Sequence, residues 1–85
     1  MAGKVLIGKI THYFPNVKAA VVVIEKGKKL KVGDKILVEG HGSSFEQSVD
    51  SMQVDRKPIT EAKAGDAIGL EVKEDVKAGD LVYKA

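Results

Sequence analysis

At 85 residues, with 44% hydrophobic and 31% charged side chains, the chain can bury one hydrophobic core and is too ordinary in composition for intrinsic disorder. It has no cysteine and two histidines, which excludes disulfide staples, thiol catalysis and thiolate metal sites, so no metal and no cofactor is expected. The net charge of +2 by itself implies no polyanionic partner.

One domain over residues 1–85 is therefore expected. No apolar run approaches the roughly 18 residues of a membrane span, and Met1-Ala2-Gly3-Lys4 lacks the apolar centre of a signal peptide, so the expectation is a cytoplasmic protein with no membrane partner. The apolar residues are mostly β-branched and fall in short runs separated by Gly, Pro, Asn or Asp, the pattern of an all-β domain.

Strand one is predicted over Val5 to Tyr13, ending in a turn at Phe14-Pro15-Asn16-Val17 where Pro15 sets φ and Asn16 accommodates a positive one. Strand two, Ala19 to Glu25, is apolar without alternation, which predicts cover on both faces. Strand three is Ile36-Leu37-Val38, followed by the loop Gly40-His41-Gly42-Ser43-Ser44. Strand four, Phe45 to Val54, changes phase between Val49 and Met52, so a bulge is expected near Asp50-Ser51. Pro58 then stops the strand, and Ile59 with Ala62 is predicted to tuck a one-turn segment over a barrel opening. Ile68, Leu70 and Val72 alternate as strand five, and Leu81-Val82-Tyr83 closes the chain.

One element recurs three times: Lys31-Val32-Gly33-Asp34, Lys63-Ala64-Gly65-Asp66 and Lys77-Ala78-Gly79-Asp80. Glycine at the third position can take φ > 0 and the aspartate can accept a local backbone N–H, so each tetrad reads as a turn that launches a strand. The unequal spacing makes it reused turn chemistry and not a solenoid.

These residues carry a resemblance. Leu30 to Gly40, Val49 to Gln53, Arg56 to Ile59, Ala62 to Leu70 and Ala78 to Val82 resemble, in order, the second domain of elongation factor Tu-type translation GTPases. The match runs from about Glu25 to the C-terminus, and Ala64-Gly65-Asp66-Ala67-Ile68-Gly69-Leu70 is its most specific piece. It implies a closed antiparallel β-barrel of about six strands, of the translation-factor second-domain type. The stretch Gly8 to Phe14 followed by Ala20-Val21-Val22 is also similar to the small C-terminal barrel of collagenase-like peptidases. In either parent the barrel is an accessory to chemistry carried elsewhere. No phosphate loop of the Gly-x-x-x-x-Gly-Lys-Ser/Thr kind is present, so no nucleotide cofactor is expected. The acidic pair that meets aminoacyl-tRNA in elongation factor Tu is replaced here by Ala2-Gly3-Lys4-Val5.

Residues 1–38 hold eight lysines against two carboxylates, and residues 39–85 hold six basic against ten acidic groups. A barrel that segregated these halves would present a dipolar surface; a solvated Lys/Glu surface is the plainer reading. The candidate nucleic-acid-binding residues are Lys9, His12, Tyr13, Lys18, Lys26, Lys28, Lys29, Arg56 and Lys57, with rings to stack bases and cations to pair phosphates. The alternative is structural: Phe14 plugs the barrel end, Tyr13 covers its rim, and Arg56-Lys57 anchors Asp55 or Glu61. His41 and Ser43 are candidate loop-tip ligand contacts, because glycines flank His41. Ser43, His41 and Asp50 supply no oxyanion hole or rigid elbow, so no enzyme is expected. The leading expectation is a non-catalytic module binding RNA, such as tRNA, or a translation-associated protein. The alternative is a protein-interaction accessory docking onto a peptidase-like enzyme through an exposed apolar patch around Leu6, Leu37 or Val82.

Overall fold

The computed structural model describes residues 5–40 and 43–85, and among the described residues the chain forms ten strands, most of them containing β-branched residues, and no helix. They are β1 Val5–Phe14, β2 Ala19–Ile24, β3 Lys29–Lys31, β4 Lys35–Gly40, β5 Ser43–Ser48, β6 Met52–Val54, β7 Lys57–Ile59, β8 Glu61–Lys63, β9 Ala67–Glu71 and β10 Leu81–Lys84. Eight form one antiparallel sheet in the order β5-β4-β10-β1-β2-β9-β6-β7, and β3 with β8 forms a separate two-stranded ribbon. The concave face buries Ile10, Val22, Ile36, Ile68, Leu70 and Val82, each at most 1% exposed.

The expected closed barrel of six strands is corrected to a strongly curled half-barrel whose ladder stays open. The cause lies in the predicted fourth strand. Its phase change breaks the strand at residues 49–51 instead of bulging it, so β5 keeps β4 as partner while β6 crosses to β9. Val49 leaves the ladder for the first Lys-x-Gly-Asp turn: its N–H donates to the Asp34 carbonyl and its carbonyl accepts from Gly33, both at 2.8 Å. A side chain spans the resulting seam. Gln47, 5% exposed, donates from Nε2 to the Glu71 carbonyl and accepts the Lys73 N–H at Oε1, both at 2.8 Å, much as a ladder peptide would. The bulges occur in β1 instead, between Leu6 and Gly8 against β10 and between Ile10 and His12 against β2, and they bend that ten-residue strand around the core.

All three recurring tetrads are turns of one geometry. Gly33, Gly65 and Gly79 have φ of 98°, 86° and 101°, as the third residue of a type II turn requires. Asp34, Asp66 and Asp80 accept the N–H of the lysine three residues earlier at 3.0, 2.9 and 2.9 Å. Each turn also docks by a reciprocal backbone pair onto a buried residue, respectively Val49, Ile24 and Ile10.

Further corrections concern loops and faces. The positive φ after β1 falls on Lys18 (51°) and not on Asn16. Strand two is buried on one face, with Ala19, Val21 and Val23 half-buried on the other. No one-turn segment follows Pro58. Asp55 and Arg56, with φ of 51° and 65°, make the tight turn of a β6–β7 hairpin, and Pro58 is tolerated because β7 is an edge strand. Ala62 instead pairs with Leu30 in the β3–β8 ribbon. The basic and acidic halves of the sequence do not form two faces, because β4, β1 and β2 interleave with β10 and β9.

Candidate functional site

Alternation along the strands sends one residue of each pair to the convex face. There His12 lies beside Val21, Val21 beside Gly69, and Gly69 beside Gln53, across β1, β2, β9 and β6. The adjoining row carries Phe14, Ala19 and Glu71. Gly69 has no side chain to fill this face, and a groove results. One part of it, ≈ 550 Å³, is lined by Phe14, Val17, Val21, Gln53, Arg56 and Gly69 among others. The adjoining part, ≈ 310 Å³, shares Val17, Gln53 and Gly69 and ends on Glu71. Phe14 and Val17 remain 51% and 65% exposed at its rim, so apolar surface stands in water here.

The two aromatic neighbours at the end of β1 part company. Phe14 does not plug the barrel end. Tyr13 turns inward against the core, and its hydroxyl donates to Asp75 Oδ1 at 2.7 Å. That hydrogen bond, reinforced by desolvation and by the charge of Asp75, raises the Tyr13 pKa above its ordinary value of 10.0. His12 stays exposed, donates from Nδ1 to the Thr11 carbonyl at 2.6 Å and meets the Phe14 ring edge-on, with centroids 6.4 Å apart.

Of the sequence-predicted cations, Arg56 reaches the groove wall. Lys18 and Lys57 are exposed on the two adjoining hairpins. Lys26, Lys28 and Lys29 follow the opposite end of β2 from Lys18, about 20 Å from it along a six-residue strand. Lys9 sits mid-sheet, opposite Val23 and Leu81. The nine residues therefore do not converge on one surface. Glu61 takes Lys31 as its partner at 3.8 Å, and not Arg56 or Lys57. Val82 points into the core, so it lines no exposed patch; Leu6 and Leu37 do face outward, half-buried on either side of Tyr83. His41 lies outside the described residues; Ser43 opens β5 opposite Gly40. Among the described residues, no three His, Asp or Glu side chains are placed to hold a metal ion. The groove itself escaped the sequence reading, although a glycine at an outward position of a cleanly alternating strand was its visible sign.

Fold and groove together define a small all-β half-barrel with an open groove on its convex face. No family model matches the sequence. An uncharacterized protease of Methanocaldococcus jannaschii is 36% identical over 81 residues, covering 94% of this chain and 19% of the protease. A collagenase of Porphyromonas gingivalis is 30% identical over 95% of this chain and 20% of its own length. Elongation factor 1-alpha of Archaeoglobus fulgidus is 43% identical over 56 residues, 61% of this chain and 13% of the factor. The crystal structure of the C-terminal domain of a U32 peptidase from Geobacillus thermoleovorans superposes with a TM-score of 0.85 at 17% identity, covering 93% of this chain and 98% of that one. The chain is thus a small β-domain resembling the C-terminal domain of U32 and collagenase peptidases and the barrel-like region of elongation factor 1-alpha. It spans about a fifth of the length of the proteases it matches.

Proposed function

We propose that the chain is a non-catalytic docking domain of the peptidase type, which holds a protein surface and leaves bond breaking to a larger partner. One observation carries this reading: 94% of the chain aligns with 19% of a protease, so it corresponds to one compact piece of such a protein. The exposed Phe14 and Val17 beside an open groove support it, as does the dispersal of the lysines. A second reading, binding of RNA or of a translation-associated protein, draws on the 43% identity with elongation factor 1-alpha over 56 residues.

The test sets the two side by side. The chain is titrated calorimetrically into a U32-type peptidase polypeptide lacking its own C-terminal domain, and total tRNA is filter-bound at about 50 and 200 mM salt. Saturable binding to the peptidase, with no steeply salt-dependent retention of tRNA, is the expected result. Salt-sensitive tRNA binding without peptidase binding would replace docking by the second reading.

A further inference from the structure

Gly69 occupies a strand interior where a side chain would ordinarily add stability. Its φ lies outside the left-handed region, and a Cβ there would meet nothing nearer than the Gln53 carbonyl at 3.8 Å. Neither backbone geometry nor packing demands glycine, in contrast to Gly8, where a Cβ would press against the Val23 carbonyl and the Val22 side chain. What the missing side chain does produce is the floor of the groove, and a local departure from strand chemistry with no structural return marks functional positions.

The groove follows the outer face of β9 from Ala67 to Glu71, about 13 Å from the first to the last of five extended residues. Its two ends differ in charge. At the Ala67 end Arg56 stands next to Asp55 and makes no ion pair or side-chain hydrogen bond with any described residue, so its cation is available to a ligand; at the other end Glu71 stands without a cation in the lining. Val17 and Val21 supply an apolar middle. A phosphodiester strand is negative along its whole length and would lie against Glu71 as well as Arg56, whereas a peptide can set an acid at Arg56 and a base at Glu71.

We infer that this groove binds an extended segment of a protein partner, with an apolar side chain over Gly69, an acidic residue at Arg56 and a basic residue at Glu71. The inference rests on the docking reading above and names the surface that reading uses.

Its test is an amide-shift titration of the chain with two synthetic peptides, acetyl-Asp-Ser-Phe-Ser-Lys-amide and its neutral counterpart acetyl-Asn-Ser-Phe-Ser-Gln-amide. The charged peptide is expected to shift Val21, Gln53 and Gly69 and to bind about two- to fivefold more tightly than the neutral one, the scale of exposed ion pairs. Gly69→Val should abolish those shifts while the rest of the spectrum and the melting temperature are retained, and Arg56→Glu should erase the preference for the charged peptide. No shift at these amides with either peptide, or shifts that survive Gly69→Val, overturns the groove. So does a uridine octanucleotide that moves the same amides when the peptides do not. Peptidase binding unaffected by Gly69→Val overturns the groove and leaves the docking domain in place; peptide binding without peptidase binding does the reverse.

Discussion

Tyr13 and Phe14 illustrate what one residue's step along a strand decides. Read in sequence they form one aromatic cluster with His12; in the fold, alternation turns Tyr13 into the half-barrel and leaves Phe14 and His12 outside. The phenol of Tyr13 donates to Asp75, so only the protonated form holds the bond. Because the folded pKa is raised, this contribution is fully present below the unfolded value of about 10 and is lost as pH rises through the folded value. Asp75→Asn should therefore move the onset of Tyr13 ionisation, followed by tyrosinate absorbance, to lower pH. The stability gap between wild type and variant, measured in urea, should hold steady from neutral pH and shrink only above about pH 10. An unchanged titration would show that the hydrogen bond does not govern Tyr13. Gly69 is the opposite case: the sequence displays the residue plainly, but its meaning depends on Val21 and Gln53, which only the register places beside it.

Turns were more legible than strands because their determinants lie within four residues. Glycine at φ > 0 and an aspartate accepting the N–H three residues back follow from local sterics and hydrogen bonding, and all three tetrads obey. The strands β3 and β8 were missed for the converse reason: Lys-Leu-Lys and Glu-Ala-Lys each bury one side chain, too little to register as a pattern. The Asp55-Arg56 turn was missed because tight hairpin turns favour Asn-Gly or Asp-Gly, and here two bulky residues adopt the left-handed region. Alanine in place of each turn aspartate should rank the three. Asp34→Ala and Asp66→Ala, at half-buried positions, should each cost about 1 kcal/mol in urea-induced unfolding. Asp80→Ala should cost more, because Asp80 is 6% exposed and packs its carboxylate against Gly40, where no Cβ would fit. Equal losses at all three sites would mean that burial does not set the strength of these turns.

At the scale of the whole molecule, antiparallel pairing carried by β-branched alternation was readable, but closure was not, since it depends on which partner each half of a broken strand finds. The interleaving of β10 between β4 and β1 likewise disperses a charge asymmetry that looks polar along the chain. Gln47 holds the open seam, and its chemistry can be inverted with one atom. In Gln47→Glu a carboxylate still accepts the Lys73 N–H but has nothing to donate to the Glu71 carbonyl, so two oxygens face each other in a buried place. Burial and this repulsion raise the folded pKa of the introduced acid above its unfolded value of about 4.3. The folded state then binds more protons than the unfolded one, so stability falls as pH rises. The variant should thus be destabilised at neutral pH by about 2 kcal/mol and recover toward wild type between about pH 6 and 4, as the protonated carboxyl regains a donor. Gln47→Leu lacks both functions and should stay destabilised at every pH, with faster hydrogen exchange at Lys73 than at the centre of β2. A pH-independent deficit in Gln47→Glu would show that packing, and not the paired hydrogen bonds, holds the seam.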